Sequence, residues 1–139
     1  SITKLPVMVS LSFDSIGNDF KTMMGVGVES IIGKMLSMGV DVVGFNCGRI
    51  PIEEYVLLAD RYASAVKSAN SSAAILAEPN AGVPDYVDGK TVYNVLPEDF
   101  AVIAKKIQDC GVSIIGGCCG TTPAHIAAMA RILRQDCLQ

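Results

Sequence analysis

The sequence predicts an α/β fold of four parallel β/α units, and three observations carry that prediction. Short β-branched runs recur at Val7–Phe13, Val40–Cys47, Ala73–Asn80 and Val112–Cys119, each followed by a Gly-containing loop and an amphipathic stretch. The runs are almost continuously apolar rather than alternating, as parallel strands covered on both faces require. The third observation is an internal repeat two units long. Gly39-Val40-Asp41-Val42-Val43-Gly44-Phe45-Asn46-Cys47-Gly48 aligns with Gly111-Val112-Ser113-Ile114-Ile115-Gly116-Gly117-Cys118-Cys119-Gly120.

The helices follow in order. A first one spans about Val28 to Met38, where glycines crowd the segment. The second places Ile52, Tyr55, Val56, Ala59, Tyr62, Ala63 and Val66 on one face, with Pro51, Glu53 and Glu54 in its first turn. The third repeats the pattern with Phe100, Ile103, Ala104 and Ile107 behind Pro97, Glu98 and Asp99. In the fourth, Thr122 is the N-cap and Pro123 the first helical residue of a stripe containing Ile126, Met129, Ala130 and Leu133.

Composition narrows the function. The 139 residues are half hydrophobic, which excludes disorder and fits one domain, residues 1–139. A formal net charge of −3 without a basic cluster argues against nucleic acid as a partner. The apolar runs are far shorter than the roughly 20 residues of a membrane span, and no signal peptide is read at the start. A soluble, cytoplasmic protein is expected. Five cysteines, two of them adjacent, do not form a disulfide framework; in a reducing compartment such clustering points to metal or catalysis.

The repeat locates the chemistry. Residues just before each closing glycine lie at the C-terminal end of a strand, the active face of a β/α barrel, so Cys47, Cys118 and Cys119 are expected to converge there. The adjacent pair would point to opposite faces of a regular strand, but Gly116-Gly117 and Gly120 allow a bend. Three thiolates suit zinc with a fourth position open. Such a centre is a poor activator of water but holds a substrate thiol as thiolate, which favours alkyl transfer to sulfur. Asn80, at the same mouth, is a candidate displaceable fourth ligand. Cys110 and Cys137 are read as ordinary small apolar residues and His125 as a surface residue. Gly25-Val26-Gly27 is no dinucleotide fingerprint, because Ser30 replaces the third glycine.

Gly44-Phe45-Asn46-Cys47, Glu78-Pro79-Asn80-Ala81-Gly82 with Gly89-Lys90-Thr91-Val92-Tyr93, and Gly116-Gly117-Cys118-Cys119-Gly120-Thr121-Thr122-Pro123-Ala124-His125-Ile126 together resemble the homocysteine S-methyltransferase family. The Asn80 loop and the Thr121-Thr122-Pro123 turn are more similar to its cobalamin-dependent branch than to its betaine-dependent one. The resemblance implies the C-terminal four βα units of an eight-stranded TIM-type (β/α) barrel. It also implies Cys47, Cys118 and Cys119 as zinc ligands holding homocysteine, and Asn80 as a ligand when that thiol is absent. Asn46 and Asn80 are the expected substrate-binding residues. Methylcobalamin, carried by another domain or protein, is the implied methyl donor.

A whole barrel needs about 250 residues. The expectation is therefore a fragment or one part of a split protein, paired with an N-terminal half-barrel or with itself. Two alternatives stay open at this stage: a related zinc enzyme with another thiol or donor, and a non-catalytic zinc-binding half-barrel module.

Overall fold

Apolar side chains on one face of four short strands decide where the core lies. The computed structural model describes residues 4–135. Its elements are β1 (Met8–Leu11), β2 (Asp14–Ile16), β3 (Asp19–Lys21), α1 (Val28–Ser37), β4 (Val42–Asn46), α2 (Glu54–Ser68), β5 (Ala74–Glu78), β6 (Asp85–Val87), β7 (Lys90–Val92), α3 (Pro97–Asp109), β8 (Ile114–Ile115) and α4 (Pro123–Gln135). The main sheet is parallel throughout, in the order β1-β4-β5-β8. Spatial order follows chain order, and α1 packs on α2, α2 on α3, and α3 on α4. Helices lined up on one side of a sequentially ordered parallel sheet are the arrangement of consecutive units in a β/α barrel, here four of the eight.

The helix-facing strand residues Val43, Phe45, Ile75 and Ala77 form the core with Val28 and Ile32 of α1, Tyr55, Leu58 and Tyr62 of α2, and Phe100 and Ile107 of α3. On the opposite face the register aligns Ser10, Gly44, Leu76 and Ile114 across the sheet. Only glycine fits at Gly44, because an added Cβ would lie 2.7 Å from the Leu76 Cβ and 2.8 Å from its carbonyl oxygen. Met8 and Ile114, at the two ends of this face, are exposed. No helix among the described residues is long and apolar enough to cross a membrane.

Several boundaries differ from those expected. The four strands are shorter than their apolar runs, because the flanking residues turn into loops. The last strand keeps only Ile114 and Ile115, so Cys118 and Cys119 lie beyond it. Pro51 stands outside α2: its carbonyl accepts the Glu54 N–H in a preceding turn, and the helix starts at Glu54. Pro97 and Pro123 open α3 and α4 as read.

Two antiparallel hairpins, β2–β3 and β6–β7, were not anticipated from the apolar pattern. Each follows a main-sheet strand, so both rise from the C-terminal edge of the sheet. Cys137 lies outside the described residues.

Candidate metal centre

Three chain segments leave the C-terminal ends of β4, β5 and β8 side by side. Cross-strand backbone bonds continue past the strands themselves: the Cys47 N–H donates to the Glu78 carbonyl at 3.2 Å, and the Cys118 N–H to the Pro79 carbonyl at 2.9 Å. The Ala81 N–H then donates to the Cys119 carbonyl at 2.9 Å. The sheet edge thus delivers the loops carrying Cys47, Asn80 and Cys118-Cys119 to one place.

There the Cys47 Sγ lies 3.7 Å from the Cys119 Sγ, and the Cys118 Sγ lies 3.8 Å from the Cys119 Sγ. All three sulfurs are within 4.8 Å of one another. Sulfurs bound tetrahedrally to one zinc ion at about 2.3 Å sit about 3.8 Å apart, so the donor set and its spacing fit that metal. Cys47 and Cys119 are the repeat-related pair, 72 residues apart. Cys110 stands elsewhere, its Sγ 3.3 Å from the Lys106 carbonyl at the end of α3.

The bend that brings the adjacent cysteines together uses one of the expected glycines in a left-handed conformation and not the other two. Gly116 and Gly117 have ordinary φ values; only Gly120 takes a left-handed one, at 79°. Gly117 is small because an added Cβ would lie 2.7 Å from the Thr121 side chain. Thr121 closes the turn, its N–H and Oγ1 donating to the Cys118 carbonyl at 3.2 and 2.7 Å. An added Cβ at Gly120 would strike the Tyr93 ring at 2.2 Å. Tyr93 thus lies against the turn that carries the two sulfurs.

Asn80 is buried and uses both ends of its amide. Its Nδ2 donates to the Gly48 carbonyl at 3.0 Å, and its Oδ1 accepts the Cys119 N–H at 3.0 Å. Asn46 is further from this network, accepting a 2.6 Å bond from Ser10 Oγ on the sheet face away from the helices. Tyr55, read from sequence only as a core residue, donates from its hydroxyl to the Cys47 carbonyl at 2.8 Å. Its periodicity explained its burial and hid this contact.

His125 corrects the sequence reading, because it is buried rather than on the surface. Its Nε2 donates to the Val95 carbonyl at 2.9 Å, while Nδ1 accepts from the Thr122 N–H at 3.2 Å and Oγ1 at 2.9 Å. These partners assign the neutral Nε2–H tautomer. As the third residue of α4 it reaches back to the N-cap Thr122, in the manner of a capping box. The Phe100 ring packs against His125 in a T-shaped contact, the ring centres 5.5 Å apart.

Cys47 and Cys118 do not ionise alike. Burial pushes the Cys118 thiol up to about 11, and its Cys119 and Cys47 neighbours add to that. Burial opposes ionisation at Cys47 too, but the Gly48 N–H and the side chains of Cys119, Asn80 and Cys118 outweigh it and hold the thiol below its ordinary value. Charge at Cys47 opposes a second charge at Cys118. A bound cation removes that resistance, which is the electrostatic condition for a metal cluster of thiolates.

Comparison with known proteins agrees with this geometry. Residues 1–133 match the family described as Homocysteine S-methyltransferase. The chain is 31% identical over 137 residues, 95% of its length, to a protein named methionine synthase from Mycobacterium tuberculosis (strain ATCC 25618 / H37Rv). It is 30% identical over 127 residues, 91% of its length, to one of the same name from Mycobacterium leprae (strain TN). It spans 11% and 10% of those relatives' lengths. With the family matched over nearly all of its residues and three cysteines gathered at the ends of parallel strands, the chain belongs to the homocysteine S-methyltransferase family.

Proposed function

We propose that this chain carries the zinc centre of a thiol methyltransferase whose substrate is homocysteine and whose methyl group comes from methylcobalamin on another domain or protein. The observation that carries the reading is the cluster of Cys47, Cys118 and Cys119 sulfurs within 4.8 Å of one another, Cys119 lying at tetrahedral zinc spacing from each of the other two. Family membership supports the thiol substrate and the methyl transfer. The names of the relatives support methionine as the product and, with the motifs that resemble the cobalamin-dependent branch, methylcobalamin as the donor.

In this reading Cys47, Cys118 and Cys119 are the metal ligands. When bound, Zn²⁺ supplies the positive charge that keeps a substrate thiol deprotonated near neutral pH while leaving its sulfur nucleophilic. The substrate thiol would lose its proton to solvent, and its sulfur lone pair would form the new bond to the methyl carbon while the electron pair of the broken bond stayed with the donor. Asn80 holds the loops of Cys47 and Cys119 together, and its Oδ1 keeps a second lone pair for the fourth position when the thiol is absent. Asn46, the last residue of β4 and next to Cys47 in the chain, is the second proposed substrate-binding residue. A cytoplasmic, reducing compartment belongs to the same proposal, since the cluster works only with reduced thiols.

Metal analysis tests the site. One zinc per chain is expected in the natural full-length protein, lost in Cys47→Ser, Cys118→Ser and Cys119→Ser and kept in Cys110→Ser and Cys137→Ser. Undiminished zinc in Cys47→Ser would overturn the assignment. Methyl transfer to homocysteine from methylcobalamin, measured against other donors, tests the reaction.

A further inference from the structure

Cys47 is one of three non-glycine residues among those described with a left-handed backbone, φ 56°. L-residues resist this conformation unless surrounding contacts over-determine it. At Cys47 the contact that holds the carbonyl comes from α2. Tyr55 is fully buried, its ring stacked on Phe45 at 6.2 Å with an interplanar angle of 14°. Its hydroxyl donates to the Cys47 carbonyl at 2.8 Å and accepts the Asn80 N–H at 3.4 Å. Asn80 in turn bonds Gly48 and the Cys119 N–H. One phenol on a helix therefore anchors the Cys47 and Asn80 loops, and through Asn80 the Cys119 loop.

We propose that Tyr55 is a positioning residue of the metal centre, its hydroxyl holding Cys47 in the left-handed conformation that presents Sγ beside the Cys119 sulfur. The inference rests on the metal-site reading above. A purely structural tyrosine would satisfy its hydroxyl anywhere in the core, and the same helix supplies that comparison. Tyr62, two turns further along, is equally buried and donates to the Gly44 carbonyl at 2.8 Å, in the middle of β4 and away from the ligand loops. Both substitutions to phenylalanine remove one buried hydroxyl, which makes the 2.8 Å bond to Cys47 and the 3.4 Å bond from Asn80 in one case and the single bond to Gly44 in the other. Only one of them touches a ligand loop.

The experiment compares Tyr55→Phe and Tyr62→Phe in the natural full-length protein, using Zn²⁺ affinity by chelator competition, the absorption spectrum with Co²⁺ as the probe, and the Tm of the metal-free form. Tyr55→Phe is expected to weaken Zn²⁺ binding at least about ten-fold and to alter the thiolate-to-Co²⁺ band, as loss of a group that orients a ligand does. Tyr62→Phe is expected to lower the metal-free Tm comparably while keeping the affinity and spectrum of the unsubstituted protein. Unchanged affinity and spectrum in Tyr55→Phe would overturn the inference, and so would equal losses of affinity in both variants. If the unsubstituted protein binds neither ion, the metal-site reading itself fails, and the inference with it.

Discussion

At the scale of single residues, the ligand cluster depends on side chains that never reach the metal position. Gly48 follows Cys47 with φ 94°, and an added Cβ would lie 1.8 Å from the Phe13 carbonyl oxygen. No rotamer relieves that clash, because both partners are backbone. His125 acts at longer range, fixing the start of α4 to Val95, whose own N–H bonds the Ala81 carbonyl beside Asn80. His125→Ala leaves the Val95 carbonyl and the Thr122 N–H without their partner, so a loss of about 1–3 kcal/mol is expected from denaturant unfolding. Zinc stoichiometry is expected to stay unchanged in that variant. Loss of the metal with stability intact would instead make His125 a ligand.

At the scale of elements, the hairpins are the part that apolar periodicity passed over. Their strands are three residues long and carry polar residues such as Asp14, Ser15, Asp19 and Lys21. The signal for them lay in the turns. Asp88-Gly89, both at positive φ, is the preferred pair for a type I′ hairpin, and Gly17-Asn18 opens with the left-handed glycine of a type II′ turn. The β2–β3 hairpin is then tied to the helices by Arg61 of α2. Its guanidinium bonds Asp19 at 2.6 Å and both carboxylate oxygens of Glu29 at 2.6 and 2.7 Å. These bonds hold both carboxyls below their ordinary values, the Phe20 N–H adding to the effect at Asp19. A carboxyl lowered on folding stabilises the protein above its unfolded value of about 4 and loses that contribution as pH falls through the folded one. Tm measured from about pH 6 down to about pH 3 is therefore expected to fall less steeply in Arg61→Gln than in the unsubstituted protein. Parallel pH profiles would show that the bridges contribute nothing.

At the scale of the whole molecule, the sheet among the described residues ends in β1 and β8, each paired on one side only, and the face opposite the helices is buried at Leu76 but exposed at Met8 and Ile114. Val7, Met8 and Ile114 are exposed at those edges, and no proline or charged strand residue blocks them. Open parallel edges with apolar side chains invite pairing with another chain. The 139 residues on their own are accordingly expected to associate at micromolar concentration. Sedimentation velocity checks this, and a monodisperse monomer that unfolds cooperatively would contradict it. Such a monomer would mean that the face opposite the helices is tolerated in water without a second set of strands.

The β/α periodicity, the helix faces, three of the helix starts and the repeat that relates Cys47 to Cys119 were all legible in the residues alone. Each of these is a local or periodic property, written in residue spacing and in the residues that begin or end an element. Which polar groups meet across loops far apart in the chain follows instead from how the elements pack. Tyr55 and His125 both carry spacing that reads correctly as helical, yet spacing says nothing about which carbonyl a buried hydroxyl or imidazole will find. That choice depends on how β4, β5 and β8 align at their C-terminal ends, where unpaired backbone groups of the loops must find partners once water is excluded.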